Sequence, residues 1–280
     1  MSVSCKQFIE LKKQEYNTKI ALCFLTYDNL SKADLWYSML KKTNKFNVYI
    51  HNKREFIDYK YNFHKYVISN KVSTEYGHIS LVSAALELFR EAYSNSSNKL
   101  FILLSDKCIP LYSLDTIYSK LLNYNNNIFT SISNDELLNR FLNLNNSFFD
   151  VNEFKKQSQW MVLTRDSVNW YLHNDYRYIW NNYLYNIPDE HYFISLANKF
   201  HIKYINKIIT YVNWENEDNI NKRSFHILNP KNGFDIAMPT GPVLYKNLTN
   251  DMIYTILKLD ALFMRKIDKN CKLPSYFDNF

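Results

Sequence analysis

The stretch Lys19–Leu25, with the sequence KIALCFL, is the strongest indicator of the fold. From Ile20 onward it is a continuous apolar run, with the length typical of a strand that is buried on both faces. Sheets built from such strands are mostly parallel and carry helices on each side, because both faces must be covered. We therefore expect Lys19–Leu25 to be a central strand of an α/β protein.

The segments after this strand alternate between helix and strand patterns. Asn29–Ser31 offers caps for a helix through Leu40, and Asn47–His51 (NVYIH) follows as a second strand, which makes a βαβ unit. The alternation continues through a helix that carries Ile79, Val82, Leu86, Phe89 and Tyr93, a strand at Lys99–Leu104, a helix at Ser113–Leu122 and a strand at Asn127–Ile132.

The pattern loosens beyond Asn134. The later elements are a strand at Trp160–Leu163, a helix from Arg165, a helix opened by Pro188 and a strand across Tyr204–Val212. No repeat, linker or charge block divides the chain, so we expect one α/β domain with an irregular second half. Ligands of open α/β sheets bind beyond the carboxyl ends of the strands, and the residues there are the first candidates for function.

Composition and charge bound the class of protein. Hydrophobic residues make up 46% and charged residues 22%, as in ordinary globular proteins, and the formal charge is +7. Positive charge suits an anionic partner such as a nucleotide diphosphate, a nucleic acid or a membrane surface. The sequence contains no basic run and no recognisable nucleic-acid motif, so we expect no nucleic-acid partner.

The sequence predicts a soluble cytoplasmic protein. No apolar stretch approaches the roughly 20 residues of a membrane span, and the N-terminal segment lacks the apolar core of a signal peptide. The cysteines have no metal-ligand or C-x-x-C spacing and are expected to be reduced thiols: Cys5, Cys23, Cys108 and Cys271. Cys108 lacks the accompanying motif of a nucleophile, and we interpret it as structural.

Six segments at strand ends and helix starts carry residues suited to chemistry: EYGHIS (75–80), LSDKCIPL (104–111), SQW (158–160), PDEHYF (188–193), TYVNW (210–214) and LFMRK (262–266). Their content and order resemble the core-2/I-branching β-1,6-N-acetylglucosaminyltransferase family, glycosyltransferase family 14, and especially its plant-type branch. The resemblance extends from about Lys19 to Asp268.

The resemblance implies a single GT-A-like domain over residues 1–280, with a nucleotide-sugar-binding half at 19–132 and an acceptor and catalytic half at 133–280. It implies an inverting transfer from a UDP-sugar to a carbohydrate hydroxyl, with UDP-N-acetylglucosamine as the expected donor and UDP-xylose or another UDP-sugar as the alternative. It also implies no metal and no other cofactor. The sequence agrees in containing no Asp-x-Asp pair.

Glu190 falls where the family has its catalytic base. Pro188 fits the first turn of a helix, and the positive end of a helix dipole suits the two acids that follow. By residue type alone, Asp189 and Glu190 are equally explained as helix-capping acids. Asp189 stays open between acceptor binding and capping, and Asp106 is the next candidate for the base.

Lys266 falls on a basic residue with which the family binds the donor diphosphate, and Arg265 lies beside it. A second family arginine has no clear counterpart, because the matching stretch reads Gly241-Pro242-Val243-Leu244. Arg265, Lys246 and Arg223 are the candidates to replace it.

Further donor and acceptor contacts are expected at the other segments. Tyr76 is placed to stack on uracil, Gly77 to allow close approach of the backbone, and His51 to lie near the nucleoside, although Asn52 stands where many family members have an acid. The acceptor candidates combine flat apolar faces with polar groups: Asp106, Gln159, Trp160, Asp189 and Trp214. Core packing is an alternative for Tyr76 and Trp214.

A catalytically degenerate protein that binds a glycan or a nucleotide sugar is the alternative function. It is motivated by the missing arginine and by Asn52, and the intact Glu190 argues against it.

Overall fold

The central strand predicted from KIALCFL is confirmed. The computed structural model describes residues 18–56, 58–132, 136–144, 147–180, 187–214 and 242–280, and in it β1 spans Lys19–Thr26. Alternate residues of β1 pack into two different clusters of buried side chains, so both of its faces are covered. One cluster takes Ile20, Leu22 and Phe24, and the other takes Ala21, Cys23 and Leu25.

Six strands form the main sheet in the order β2-β1-β3-β8-β5-β9. β1 pairs in parallel with both β2 (Phe46–Asn52) and β3 (Asn98–Ser105). β8 (Val162–Thr164) is antiparallel to its two neighbours, β3 and β5 (Asn127–Phe129), and β9 (Tyr204–Asn206) is parallel to β5. The predicted α/β class with a mostly parallel sheet is therefore confirmed.

Helices cover both faces of this sheet. The cluster on one face includes residues of α1 (Ala33–Leu40), α3 (Leu114–Tyr124) and α7 (Asn250–Leu257). The cluster on the other face includes residues of α2 (Ser80–Ser94), α5 (Arg165–His173) and α6 (Tyr192–Lys199), together with Leu144 at the end of α4 (Glu136–Leu144). Apolar residues at helical spacing on one side of each helix account for this packing.

Small sheets and single turns position the loops around the main sheet. β10 (Thr210–Val212), β12 (Phe263–Arg265) and β4 (Ile109–Pro110) form one, β11 (Tyr245–Asn247) and β13 (Ile267–Lys272) a second, and β6 (Ser131–Ile132) and β7 (Lys156–Gln157) a third. Short 3₁₀ helices lie at Phe63–Tyr66, Arg177–Trp180, Pro188–Glu190 and Ser275–Asn279.

Two predicted strands are each divided between sheets. The run 127–132 gives β5 and β6, and the run 204–212 gives β9 in the main sheet and β10 in the three-stranded sheet. The second run changes partner midway: Lys207 donates its backbone N–H to Phe129, whereas Ile209 accepts from Leu262 and Phe263. Apolar periodicity predicts which segments form buried strands, but it does not indicate which neighbouring strand each segment pairs with.

Helix starts were predicted with mixed success. Ser113 caps α3, because its hydroxyl accepts the backbone N–H of Thr116. The predicted cap at Asn29–Ser31 is wrong, since α1 begins at Ala33 without a side-chain cap. Ser31 instead donates its backbone N–H to the carbonyl of Asp106 at 2.8 Å, which ties this loop to the end of β3.

Candidate active site

Glu190 lies in a tight turn ahead of a helix. Pro188–Glu190 is a 3₁₀ turn, and α6 begins only at Tyr192, so the prediction of one helix opened by Pro188 is wrong in detail. Ile187, with φ of 38°, occupies the left-handed region just before the proline, which is uncommon for a β-branched residue. The turn is closed by the Glu190 N–H, which donates to the Ile187 carbonyl at 2.9 Å.

Two cations hold the Glu190 carboxylate. Its Oε2 atom lies 3.2 Å from Arg140 Nη1 and 3.4 Å from Lys156 Nζ. The three side chains are largely buried, with 16% of Glu190, 14% of Arg140 and 9% of Lys156 exposed. Arg140 belongs to α4 and Lys156 to β7, so two separate elements converge on one carboxylate oxygen.

Asp189 is a buried acid beside Glu190. The residue is 7% exposed, and its buried Oδ1 atom has no hydrogen-bond partner among the described residues. Burial, and then the negative charge of Glu190, raise the pKa of Asp189 to about 7, against the opposing charges of Arg140 and Arg265. Near neutral pH this carboxyl is therefore partly protonated and can both donate and accept a hydrogen bond.

Arg265, at the end of β12, stacks on an aromatic ring. Its Cζ atom lies 4.2 Å from the ring centre of Trp160, which is itself buried. The Nε atom of Arg265 is buried and finds no hydrogen-bond partner in the described parts of the chain. Burial lowers the pKa of Arg265, while the nearby acidic groups of Cys108, Asp106, Tyr76 and Asp189 oppose that shift. The guanidinium thus lies among acidic groups without being committed to one of them.

Lys266 follows Arg265 and is half-buried. Burial lowers the pKa of Lys266 to about 8, and the neighbouring charges of Arg265 and Lys107 add to the effect. Within the ranges that the structure describes, the side chains of Arg265 and Lys266 donate no hydrogen bond and form no ion pair. An incoming anion would relieve the repulsion between these cations.

Asp106 and Tyr76 complete the cluster. Asp106 follows β3 and is nearly buried, and burial raises the pKa of its carboxyl, while Lys107 and then Arg265 act against that shift. Tyr76 is 83% exposed, yet the charges of Glu190, Asp189, Arg265 and Arg140 all act on it. Gly77, at φ of +69°, lies in the same turn, with the position of its missing Cβ 4.0 Å from Ile187.

Among the described residues, three predicted site residues show no hydrogen bond, ion pair or ring contact with this cluster. His51 is buried at the end of β2, where its Nε2 accepts the backbone N–H of Val72 at 2.9 Å. This hydrogen bond links two segments of the chain. Gln159 is half-buried and Trp214 is 44% exposed, and among the described residues neither has a hydrogen bond or ring contact. Gly241 and Arg223 lie outside the described residues, and Lys246 is exposed on β11.

The comparisons with known proteins assign the family. The family described as "Core-2/I-Branching enzyme" matches residues 20–233, about three-quarters of the chain. The chain belongs to the core-2/I-branching enzyme family. The resemblance drawn from the six segments is thereby confirmed, and with it the prediction of a glycosyltransferase-family chain.

Two similar proteins were found, one by sequence and one by structure. A rice (Oryza sativa subsp. japonica) protein named "Glycosyltransferase BC10" is 24% identical over 156 residues, which cover 53% of this chain and 39% of the relative. The chain therefore spans well under half of the length of that relative. The match to a plant protein supports the plant-type branch of the family. A solved structure of the bifunctional glycosyltransferase WbbM in its apo form has a TM-score of 0.43 at 10% identity, covering 88% of this chain and 45% of that one.

Sequence reasoning missed three residues of this core-2/I-branching site. Arg140 and Lys156 hold Glu190, and His191 contacts Arg140, yet none of them was assigned a role. Arg140 had a readable signal. It falls on the same face of α4 as Leu137, Phe141 and Leu144, and a basic residue on the apolar face of a helix requires a buried partner.

Metal-ligand clusters and membrane helices were also sought. The described parts of the chain bring together no group of three or more His, Cys, Asp or Glu side chains that could hold a metal ion. None of the helices they contain is long and apolar enough to cross a bilayer.

Proposed function

We propose that this core-2/I-branching chain is an inverting glycosyltransferase that moves a sugar, N-acetylglucosamine in the first instance, from a UDP-sugar to a hydroxyl of a carbohydrate acceptor. One observation carries the proposal: a carboxylate held by two cations lies in the same cluster as a second pair of cations that form no ion pair with any described residue. The first arrangement suits proton abstraction and the second suits binding of a diphosphate.

Glu190 is the general base in this mechanism. It takes the proton of the acceptor hydroxyl while that oxygen attacks the anomeric carbon, and the bond from this carbon to the diphosphate breaks in the same step. UDP departs with the bonding electrons, and the configuration inverts because there is a single displacement. Since both cations contact Oε2, the other oxygen, Oε1, is the one available to the acceptor.

Arg265 and Lys266 neutralise the departing diphosphate. Two adjacent basic side chains supply the positive charge that many other nucleotide-sugar transferases obtain from a bound metal ion. The stacking of Arg265 on Trp160 restricts the guanidinium before the donor arrives, which lowers the entropy cost of binding. In this proposal the reaction therefore requires no metal ion. The exposed ring of Tyr76, next to the Gly77 turn, is proposed to stack on the uracil.

The acceptor side is proposed around the remaining acids and aromatics. Asp189 offers an unpartnered carboxyl oxygen beside the base and is suited to hold a sugar hydroxyl. Asp106, Trp160, Gln159 and Trp214 are the further candidates. UDP-xylose remains the alternative donor, because the site features on which the proposal rests address the UDP group and not the sugar.

A donor screen tests the proposal. The purified chain is incubated with a panel of UDP-sugars, and binding is measured by thermal shift, since a ligand that binds the folded state raises its apparent stability. Transfer is then followed as UDP release in the presence of mixed oligosaccharide acceptors. A UDP-sugar that raises the Tm and is consumed only with acceptor supports the proposal. Binding of a glycan or a UDP-sugar without turnover across the panel would instead establish the degenerate binding protein.

A further inference from the structure

His191 is a buried imidazole between the two segments that carry the cations on Glu190. Its ring is fully inaccessible to solvent and stacks on Phe154, with ring centres 4.5 Å apart and an interplanar angle of 14°. Nδ1 lies 2.7 Å from the carbonyl oxygen of Lys155, and Nε2 lies 3.2 Å from Nη1 of Arg140. The same Nη1 atom is the one that contacts Glu190.

These contacts fix the protonation state of the ring. A carbonyl oxygen only accepts and a guanidinium only donates, so Nδ1 must carry the proton and Nε2 must be the acceptor. The imidazole is therefore neutral, in the Nδ1–H tautomer. Burial lowers the pKa of His191 to about 3, and the nearby charges of Arg140 and Lys156 act in the same direction. At any ordinary assay pH the ring keeps one donor and one acceptor.

Ser195 holds the same peptide one helical turn later. Its hydroxyl accepts the backbone N–H of Lys155 at 2.9 Å and donates to the Lys155 carbonyl at 3.1 Å. His191 immediately precedes α6, and Ser195 lies one turn further along, with its backbone N–H donating to the His191 carbonyl at 3.0 Å. Together they hold the backbone of the residue that directly precedes Lys156.

We propose that His191 is a positioning residue, assisted by Ser195, that fixes both cations on Glu190 and thereby aims the Oε1 atom of the base. Arg140 is held directly through Nε2, and Lys156 is held through the peptide of Lys155. Long cationic side chains lose considerable entropy when they are confined to one geometry, and a buried neutral acceptor reduces the freedom of Arg140 before the substrate binds. The role rests on the proposed function, because it requires Glu190 to be the base.

The principal test is His191→Phe, which keeps a flat ring on Phe154 and removes both hydrogen bonds. We expect kcat to fall at least about tenfold, as for a catalytic group that is misplaced by less than 1 Å, while the Kd for UDP stays within about twofold. Tyr171→Phe is the matched control. It removes a buried hydrogen bond from Tyr171 to the Phe193 carbonyl on the same helix, without touching Lys155 or Arg140.

Two further variants test the two hydrogen bonds of His191 separately and remain informative if His191→Phe does not fold. His191→Asn places an amide N–H near the position of Nδ1 and retains the link to Lys155. His191→Gln places an amide oxygen near the position of Nε2 and retains the link to Arg140. We expect each to show a kcat between those of His191→Phe, or of His191→Ala in its place, and the wild type.

The proposal is overturned if His191→Phe, His191→Asn and His191→Gln all keep the wild-type kcat. It is also overturned if Tyr171→Phe, at an equal loss of Tm, lowers kcat as much as His191→Phe does. A wild-type chain that transfers no sugar refutes the proposed function instead. The contact between His191 and Arg140 is then tested by the loss of Tm in Arg140→Met, in the His191 variant and in the double mutant that combines them. Losses that simply add overturn it, and a combined loss smaller than the sum supports it.

Discussion

The two pairs of cations in the site differ in what neutralises them. Arg140 and Lys156 converge on a single oxygen of Glu190 and are nearly buried. Arg265 and Lys266 are adjacent in the chain and repel each other. Among the described residues Arg265 stacks on Trp160, and neither side chain forms a hydrogen bond or an ion pair. A cation pair that is already neutralised serves to orient a side chain, whereas an unneutralised pair is prepared for an anion from outside.

The largest effect is expected at the carboxylate that the first pair holds. Glu190→Gln preserves the shape of the side chain and removes its capacity to take a proton, so kcat should fall roughly 10² to 10⁴-fold. The Kd for UDP and the Tm should stay close to wild type. Asp189→Asn is the comparison variant and should reduce kcat less. A Glu190→Gln enzyme that keeps most of its activity would move the base elsewhere, with Asp106 as the next candidate.

The unneutralised pair should control affinity for the nucleotide. A buried charge-assisted contact contributes roughly 1.5 to 3 kcal/mol, so Lys266→Ala should weaken UDP binding by about tenfold or more, measured by calorimetry. Lys272→Ala, at an exposed lysine of β13, is the control and should leave the Kd unchanged. Equal UDP affinity in the Lys266→Ala and control variants would remove Lys266 from the donor site.

The neutralised pair should affect turnover and not nucleotide affinity. Lys156→Met keeps the length of the side chain and removes its contact with Glu190, so the carboxylate loses one of its two anchors. We expect kcat to fall by about tenfold at an unchanged Kd for UDP. Lys199→Met breaks a partly buried ion pair with Glu153 away from the site and serves as the control. A weaker Kd for UDP in Lys156→Met would show that the two pairs are not distinct in function.

The pKa of Asp189 is influenced by Arg140 from the first pair and by Arg265 from the second, so the pH dependence of stability provides a further test. Its pKa is about 7 in the fold against a usual value of 3.8, so between these values the folded state binds more protons than the unfolded state. The contribution of Asp189 to stability therefore falls as the pH rises toward 7 and is constant above it. The Tm of Asp189→Asn relative to wild type should increase from about pH 4.5 to about pH 8. A constant Tm difference would mean that Asp189 is ionised throughout.

The smallest effect is expected from metal removal. If Arg265 and Lys266 supply the charge for the diphosphate, incubation with a chelator should leave the rate of transfer unchanged. The rate is measured before and after chelation, and again after addition of Mn²⁺ or Mg²⁺. An activity that disappears with chelation and returns with either ion would show that the second cation pair is insufficient by itself.

The sequence predicted the fold well wherever burial was continuous. Lys19–Leu25 and Lys99–Leu104 were identified as strands, because a run of apolar residues has few alternatives in an α/β chain. Where a run changes partner, as at Tyr204–Val212, the apolar pattern continues and the prediction joined two strands into one. Partner choice depends on hydrogen bonds to residues more than 50 positions distant, such as Ile209 with Leu262.

Of the candidate site, the sequence by itself identified the acids of the segment PDEH (188–191) and the adjacent basic pair of MRK (264–266), both through their resemblance to a family. Only the tertiary structure decided which groups meet them. Arg140 and Lys156 are separated from Glu190 by 50 and 34 positions, and they reach it because α4 and β7 pack beside the Pro188 turn. A buried charge must be paired, but the local sequence contains no information on which distant partner the packing of helices and strands will supply.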